Sequence, residues 1–260
     1  MRLVAQIEEF SGIRLMEKSH SKLESTDYLA MICHEIGTPL TAILGISEIL
    51  ASIECSPQKK SECAEILRDS SHMLMGLINN MLDSSRLDNR KIELECVPFD
   101  LTKVLEEAKN IITFKAHEKG LGVHMRLGKK LPALFMGDPL RIRQILLNLL
   151  GNAVKFTRQG IISLYVTETS RSNGHSEVCI TVADPGIGIE EEQVEKIFGK
   201  YVQANSSINR KYGGTGLGLF ISRELAHLMN GDITVKSGLG KGSEFMVTLP
   251  LMKAPALAAT

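Results

Sequence analysis

The sequence predicts a multidomain protein in which an all-α helical hairpin precedes a mixed α+β domain. Two observations support this division. Up to about residue 87, apolar residues recur at three- and four-residue steps, which is typical of amphipathic helices. Beyond that point, helical segments alternate with short β-rich segments, which is typical of helices packed on one face of a sheet.

Composition limits the classes of function. The 260 residues include 30 basic and 30 acidic side chains, and 43% of them are hydrophobic. The apolar content suffices for a folded core, while a formal net charge of zero gives no positive field, so we expect no nucleic acid partner. The five cysteines are scattered and contain no CxxC pair, which predicts neither a disulfide framework nor a zinc site and fits a reducing compartment.

No apolar run approaches the roughly 20 residues of a membrane-spanning helix. We therefore expect no membrane segment in this chain and a cytoplasmic location. The chain is then either a cytosolic protein or the cytosolic part of a longer, membrane-anchored one.

The first helices are expected to form the hairpin. Residues 1–27 predict a connecting helix, either a coiled-coil fragment or an ordinary solvated helix. A domain at 28–89 follows, in which one helix contains Gly37 and Pro39 and a second begins at Ser56 and Pro57. A lone hairpin leaves the apolar stripe of its second helix half covered, so we predict a homodimer that forms a four-helix bundle. The stripe consists of Ile66, Leu74, Leu77, Ile78, Met81 and Leu82.

The second domain is predicted over 90–252, with residues 253–260 as a disordered tail. Asp100 and the Asp138-Pro139 pair are predicted to begin helices, and Gly231 is predicted to end one. The expected elements in order are a strand in "KIELECVPFDL", a helix at 101–118, a strand at 122–127, a helix after Pro139, strands in "GIISLYVTET" and "EVCITVAD", a short helix in "IEEEQVEKIF", a helix in "TGLGLFISRELAHLMN", and a hairpin of "DITVKS" and "SEFMVTLP".

Three segments of this domain carry residues suited to chemistry. In "NLLGNAVKFT", Asn152 and Lys155 lie nearly one helical turn apart, where an amide oxygen could ligate a hard cation and an ammonium could neutralise phosphate. In "DPGIGI", Asp184 could accept a hydrogen bond from an exocyclic amine while the glycines let a planar ligand approach. In "GGTGLGL", glycine amides open a helix and could hold polyphosphate. Each segment alone is more typical of a solvated helix end or a glycine turn than of a binding site.

Taken together, the three segments resemble the ATP-binding domain shared by sensor histidine kinases, Hsp90 chaperones, DNA gyrase and the MutL proteins. The resemblance implies an α/β sandwich with a mixed sheet that binds ATP beneath a mobile lid at 198–214. It implies that Asn152 binds Mg²⁺, that Lys155 holds the phosphates, and that Asp184 binds the adenine amine. Further implied nucleotide-binding residues are Asn148, Gly186, Gly188, Arg210, Lys211, Gly214, Thr215, Gly216, Leu217 and Gly218. Gly199 and Lys200 replace the acidic and proline residues often found in the family, and "GKGSEF" matches its final glycine motif, which we interpret as structural.

The segment "HEIGTPL" favours sensor histidine kinases over the chaperone, gyrase and MutL relatives, because it resembles the phosphoacceptor box of these kinases. On this resemblance His34 is the nucleophile, Glu35 the base that removes the other imidazole proton, and Thr38 the residue that orients water for dephosphorylation of the partner regulator. The implied activity is autophosphorylation of His34 from Mg-ATP, then transfer to an aspartate of a response-regulator receiver domain. That receiver lies on another protein or on a missing continuation.

Two alternatives remain open from the sequence. One is a weakly active or inactive dimeric signalling scaffold, supported by Gly37 where the family usually has a long side chain. The other is an ATP-driven conformational clamp like the chaperone relatives. We also predict that Pro39 and Gly37 bend the helix just past His34, because Pro39 lacks a backbone donor and Gly37 softens the same turn.

Overall fold

Two long helices form the first unit of the chain. Helix α1 spans Lys22–Ala51 and helix α2 spans Pro57–Asp88, and the two pack along each other. The Ser56 hydroxyl accepts the Lys59 N–H at 3.3 Å, so the predicted cap-and-proline start of α2 is confirmed.

The computed structural model describes residues 22–51, 56–128, 131, 134–170, 175–202 and 216–254. The connecting helix predicted before residue 22, the interhelical loop at 52–55, most of the lid, and the tail beyond 254 lie outside these residues. Within the described part of the chain, no helix has both the length and the hydropathy that a membrane span requires.

Helix α1 continues without interruption through Gly37 and Pro39. Pro39 cannot donate a backbone hydrogen bond to the residue four positions earlier, but the helix does not end there. The Thr38 hydroxyl donates to the His34 carbonyl oxygen at 3.1 Å in the same turn. The two helix-breaking residues therefore fit into a continuous helix, and the bend expected there stays a prediction.

The hairpin exposes apolar side chains in the single chain. Leu77 is buried, but other members of the predicted stripe are exposed, together with further apolar residues of both helices. The exposed set among the described residues is Leu44, Ile49, Ile66, Met73, Met75, Ile78 and Leu82. The hairpin alone thus leaves its apolar surface partly uncovered, as the sequence predicts.

A seven-stranded mixed sheet forms the base of the second unit. Its strand order is β1-β3-β7-β5-β4-β2, with β6 also paired to β7. Strands β2 and β4 are parallel and the other pairs are antiparallel, so the predicted mixed sheet is confirmed. The strands are β1 (Val97–Phe99), β2 (Gly122–Leu127), β3 (Phe135–Gly137), β4 (Ile161–Ser170), β5 (His175–Asp184), β6 (Asp232–Gly238) and β7 (Gly242–Lys253).

Three helices cover one face of this sheet: α3 (Leu101–Glu118), α4 (Pro139–Phe156) and α5 (Gly218–Leu228). Helix α4 packs between α3 and α5, and its buried side chains meet alternate residues of β4, β5 and β7. Asp100 and Asp138 cap α3 and α4 as predicted, since their carboxylates accept the N–H groups of Lys103 and Arg141. The expectation of helices on one sheet face is confirmed.

Several predicted elements need correction. The segment "IEEEQVEKIF" forms two 3₁₀ turns, at Glu191–Gln193 and Lys196–Phe198, because only Ile197 and Phe198 are buried and so short an apolar anchor does not stabilise a continuous helix. The strand expected in "KIELECVPFDL" is limited to the three residues of the edge strand β1, where Pro98 is tolerated. Strand β3 was not predicted, since three residues give no detectable alternation.

The end of α5 also differs from the prediction. Asn230, with φ of 59°, is the left-handed residue that ends the helix, whereas Gly231 was expected to do so. Gly231 has a different role, because a Cβ there would overlap the Thr248 carbonyl oxygen of β7. The glycine therefore allows the chain to enter β6 in close contact with the sheet.

The central position of α4 predicts a large effect of a single core truncation. Leu146 is fully buried, whereas Leu140 on the same helix is 54% exposed. We expect Leu146→Ala to lower the free energy of unfolding by about 2–5 kcal/mol and Leu140→Ala by no more than about 0.5 kcal/mol. Urea denaturation of both variants measures this, and equal losses would contradict the assigned core.

Candidate functional site

Helix α4 places the predicted polar residues on the face opposite its buried stripe. Asn148, Asn152 and Lys155 are all half-buried. The Asn148 amide donates to the Ser222 hydroxyl of α5 at 2.9 Å, and a Cβ at Gly218 would overlap the Asn148 side-chain oxygen. Gly218 therefore lets the start of α5 pack directly against Asn148.

Lys155 lies in an unusual electrostatic environment. Burial lowers the pKa of its ammonium, the Glu35 carboxylate opposes that shift, and the charge of Lys119 adds to it. Its Nζ also lies 5.0 Å from the centroid of the Phe156 ring. Because Glu35 belongs to α1, the hairpin helix that carries His34 lies within electrostatic reach of the polar end of α4.

Asp184 ends β5 with a carboxyl that is poorly solvated. Burial raises the pKa of Asp184, and N–H groups of Gly186 and Ser243 together with the Thr157 hydroxyl oppose that shift. The Gly186 N–H donates to Oδ1 of Asp184 at 2.8 Å. The Thr157 hydroxyl is buried and makes no well-formed hydrogen bond among the described residues, and its effect on the pKa of Asp184 is the smallest of the three.

The glycines after Asp184 permit close backbone approach. Gly188 has φ of 71°, and a Cβ there would overlap the Gly238 carbonyl oxygen. At Gly186, a Cβ would lie 2.8 Å from the Phe156 carbonyl oxygen. Both glycines are therefore required by the surrounding backbone, as well as by any ligand beside Asp184.

The final glycine segment, "GKGSEF", supports the same loop. Gly242 has φ of 85°, and a Cβ there would overlap the Asp184 carbonyl oxygen. The Gly240 N–H donates to the Ile187 carbonyl oxygen at 2.7 Å, and Ser243 pairs with Asp184 across β5 and β7. The structure thus gives this segment a structural role: it holds the carboxyl of Asp184 in place.

Only the two ends of the predicted lid lie within the described residues. The Tyr201 N–H donates to the Gly216 carbonyl oxygen at 3.2 Å, and Gly216 has φ of 66°. Leu217 is fully buried and precedes α5. The remaining lid residues that the sequence predicts at the site lie outside the described residues, namely Arg210, Lys211, Gly214 and Thr215.

The hairpin is docked on the second unit near these residues. The buried Asp83 of α2 accepts from the Gln144 amide at 2.7 Å and from Arg141 at 3.4 Å, both on α4. Asp88 of α2 pairs with Lys200 at 2.5 Å, at the base of the lid. Lys200 thus makes a specific contact in place of the acidic or proline residues common in the family.

The phosphoacceptor segment presents its predicted residues on the accessible side of α1. His34 and Thr38 are exposed, and Glu35 is half-buried. The structure therefore brings Glu35 near Lys155 while leaving the imidazole open to solvent. His34 and Thr38 lie one turn apart on the same helix face.

The donor set fits a magnesium nucleotide. A buried carboxylate suits an exocyclic amine, an ammonium suits phosphate, and an amide oxygen suits a hard cation. Among the described residues there is no cluster of three or more His, Cys, Asp or Glu that could hold a metal ion. Mg²⁺ commonly binds through substrate phosphates and water with one or two protein ligands, and a single amide oxygen suits that role.

Two family models match consecutive parts of the chain. Residues 24–90 match the His Kinase A (phospho-acceptor) domain, and residues 137–253 match the histidine kinase-, DNA gyrase B- and HSP90-like ATPase. The chain therefore combines a phospho-acceptor hairpin with an ATPase domain of this type. It belongs to the histidine kinase family and corresponds to a histidine kinase catalytic core.

Individual relatives agree with this assignment. The chain is 37% identical over 220 residues to the signal transduction histidine-protein kinase BarA of Escherichia coli K12, covering 85% of this chain and 24% of BarA. It is 39% identical over 234 residues to the sensor protein GacS of Pseudomonas syringae, covering 90% of this chain and 26% of GacS. The chain thus spans about a quarter of the length of these relatives.

Solved structures of histidine kinases have a similar fold. Full-length ShkA in complex with AMPPNP is 33% identical with a TM-score of 0.65, and the match covers 88% of this chain and 47% of ShkA. Acinetobacter baumannii histidine kinase AdeS shares the fold at 20% identity and a TM-score of 0.58, covering 84% of this chain and 97% of AdeS.

Sequence reasoning missed four residues that support the site. Ser222 receives the Asn148 amide, Thr157 and Ser243 face Asp184, and Lys119 acts on Lys155. Thr157 and Ser243 lie inside segments that the sequence analysis quoted, so their positions beside glycine or asparagine motifs were available signals. Lys119 had no such signal, because it lies at the end of α3, outside all the motifs that carry the predicted site.

A substitution at the buried carboxyl of Asp184 should affect ATP affinity and thermal stability differently. If Asp184 binds an adenine amine, we expect Asp184→Asn to weaken ATP binding at least about tenfold, because the Gly186 N–H keeps the side-chain oxygen and leaves the amide NH₂ facing the amine donor to donor. Thermal stability should not fall, since the substitution removes a charge whose desolvation opposes folding. Calorimetric titration and thermal unfolding measure the two effects.

Glu192→Gln is the matched control, since it removes one exposed negative charge from the following segment. For the wild type, ATP affinity should decline as pH falls through the raised pKa of Asp184, because only the ionised carboxylate accepts freely. Unchanged ATP affinity in Asp184→Asn would contradict the assignment.

Proposed function

We propose that this chain is the core of a sensor histidine kinase. It phosphorylates His34 from Mg-ATP and passes the phosphoryl group to an aspartate of a response-regulator receiver domain. The observation that carries this proposal is the phospho-acceptor hairpin at residues 24–90 held against the ATPase domain at 137–253 by Asp83, which accepts from Arg141 and Gln144. The receiver is a separate protein or part of a longer chain.

The proposed nucleotide site runs from Asp184 to the polar face of α4. Asp184 binds the adenine amine beside Gly186 and Gly188, and Lys155 holds phosphate oxygens. The remaining phosphate contacts come from Asn148 and from Arg210, Lys211, Gly214, Thr215, Gly216, Leu217 and Gly218. When bound, Mg²⁺ neutralises charge on the phosphates, and Asn152 is its proposed protein ligand.

At the acceptor, Glu35 takes the proton from one imidazole nitrogen of His34 while the other nitrogen attacks the γ-phosphorus. The bond from phosphorus to the β-γ bridging oxygen breaks, and ADP leaves with that electron pair. The exposure of His34 supports access both to the nucleotide and, later, to a receiver aspartate. The phosphoryl group then moves from the imidazole nitrogen to the aspartate carboxylate.

Thr38 is the proposed residue for the reverse signalling activity, dephosphorylation of the regulator. Its hydroxyl donates to the His34 carbonyl oxygen, so it can orient a water by accepting a hydrogen bond from it, or by donating one after rotation about χ1. Thr38 is exposed on the face of His34, where a docked receiver would lie.

We also propose a homodimer in which exposed apolar residues of two hairpins bury one another, with residues 28–89 as the dimerisation domain and 90–252 as the ATP-binding domain. Within the dimer, we propose that each ATP site serves the histidine of its own chain. Support comes from the contacts of Asp83 with Arg141 and Gln144, which hold α4 against α2 of the same chain.

The two alternatives have less support. Gly37, the feature that favoured a scaffold, has open space where a Cβ would stand, so no packing contact requires the glycine. An ATP-driven clamp does not explain why Glu35, next to an exposed histidine on α1, lies within electrostatic reach of Lys155. The family match at residues 24–90 also favours the kinase.

Incubation with γ-labelled ATP tests the proposed activity. We expect acid-labile label on the wild type and none on His34→Gln, because His34 is the histidine of the segment that resembles the phosphoacceptor box. His72→Gln, an exposed histidine of α2, is the control and should keep full labelling. Glu35→Gln should slow labelling about 10²–10⁴-fold if Glu35 is the base. Label on His34→Gln, or ATP hydrolysis indifferent to His34, would overturn the kinase proposal.

A further inference from the structure

Lys119 connects two helices that are distant in sequence. It follows the last turn of α3, and its Nζ donates to the carbonyl oxygen of Val154 at 3.0 Å and to that of Lys155 at 3.5 Å. These carbonyl groups belong to the last turn of α4, where helical backbone acceptors have no partner within the helix. Lys119 therefore caps the C-terminal end of α4 from a neighbouring element.

The C-terminal end of α4 is electrostatically unfavourable for phosphate binding. The C-terminus of a helix carries a partial negative charge, which repels anions, whereas phosphates usually bind at helix N-termini. Asn152 and Lys155 lie within the last five residues of α4. A cation on the terminal carbonyl groups would offset the repulsion without occupying the ligand-binding face.

We propose that Lys119 is a positioning residue for nucleotide binding: its ammonium caps the last turn of α4, fixes the backbone that carries Lys155, and offsets the negative helix end. This inference rests on the proposed ATP site and adds a residue outside all the nucleotide-binding motifs of the sequence. Lys119 acts through α4 and is not itself assigned a contact with ATP.

The charges around Lys155 give this role a measurable signature. The charged groups that act on Lys155 are Glu35 from α1, which raises the pKa of the ammonium, and Lys119 from the end of α3, which lowers it. Removal of Lys119 should therefore raise the pKa of Lys155. If charged Lys155 holds phosphate, ATP affinity falls as pH rises through that pKa, and the decline moves to higher pH without Lys119.

The experiment titrates Mg-ATP into the whole chain by calorimetry across the alkaline pH range. We expect Lys119→Met to weaken binding about two- to fivefold near neutral pH and to shift the alkaline decline upward. Lys119→Arg should keep both the wild-type affinity and the wild-type position of the alkaline decline. Lys119→Gln keeps a hydrogen-bond donor without charge, so its affinity for ATP should lie between that of Lys119→Met and that of the wild type. Lys115→Met is the matched control, because it removes an exposed basic residue from the last turn of α3.

Several outcomes would overturn the inference. These are unchanged affinity in Lys119→Met, weaker affinity with no shift of the pH profile, or an equal effect of Lys115→Met. Thermal unfolding is measured for each variant, and if Lys119→Met does not fold, the Lys119→Gln and Lys119→Arg pair decides alone. Failure of the proposed function is distinguishable, because the wild type would then not bind ATP or Lys155→Met would bind it normally.

Discussion

Helix α4 is the constraint on which the rest of the molecule depends. One of its faces supplies buried residues to the core between α3, α5 and the sheet, so its position cannot vary without loss of packing. Its other residues contact the hairpin at Arg141 and Gln144 and face the proposed nucleotide site at Asn152 and Lys155. A single rigid element therefore carries both the contacts with the hairpin and the residues of the proposed nucleotide site.

The two positions of α4 on which hairpin residues act lie at different heights of the helix. Gln144 and Lys155 are 11 residues apart, which corresponds to about 16 Å along a helix axis. Asp83 holds the first end against α2, and Glu35 acts on the second end from α1. Helix α2 also packs against α5, so the hairpin contacts two helices of the second unit. The ion pair of Lys200 with Asp88 adds a contact at the base of the lid.

Much of this could be predicted from the sequence, for identifiable reasons. Asp100, Asp138 and Ser56 begin helices through local hydrogen bonds, which depend only on neighbouring residues. Strand β3 and the role of Gly231 could not be predicted, because both depend on contacts with β7, more than 100 and 17 residues away respectively. Lys119 was missed for the same reason: its partners lie 35 and 36 residues further along the chain.

The most direct test of the central claim, that α4 holds each ATP site against the hairpin of its own chain, uses mixed dimers. Chains carrying His34→Gln are exchanged with differently tagged chains carrying Asn152→Ala, and co-purification verifies the mixed species before labelled ATP is added. Transfer within a chain predicts no label on either subunit, while the wild-type dimer is labelled. Label on the Asn152→Ala subunit would contradict the account, because its His34 could then be phosphorylated only by the partner's ATP site.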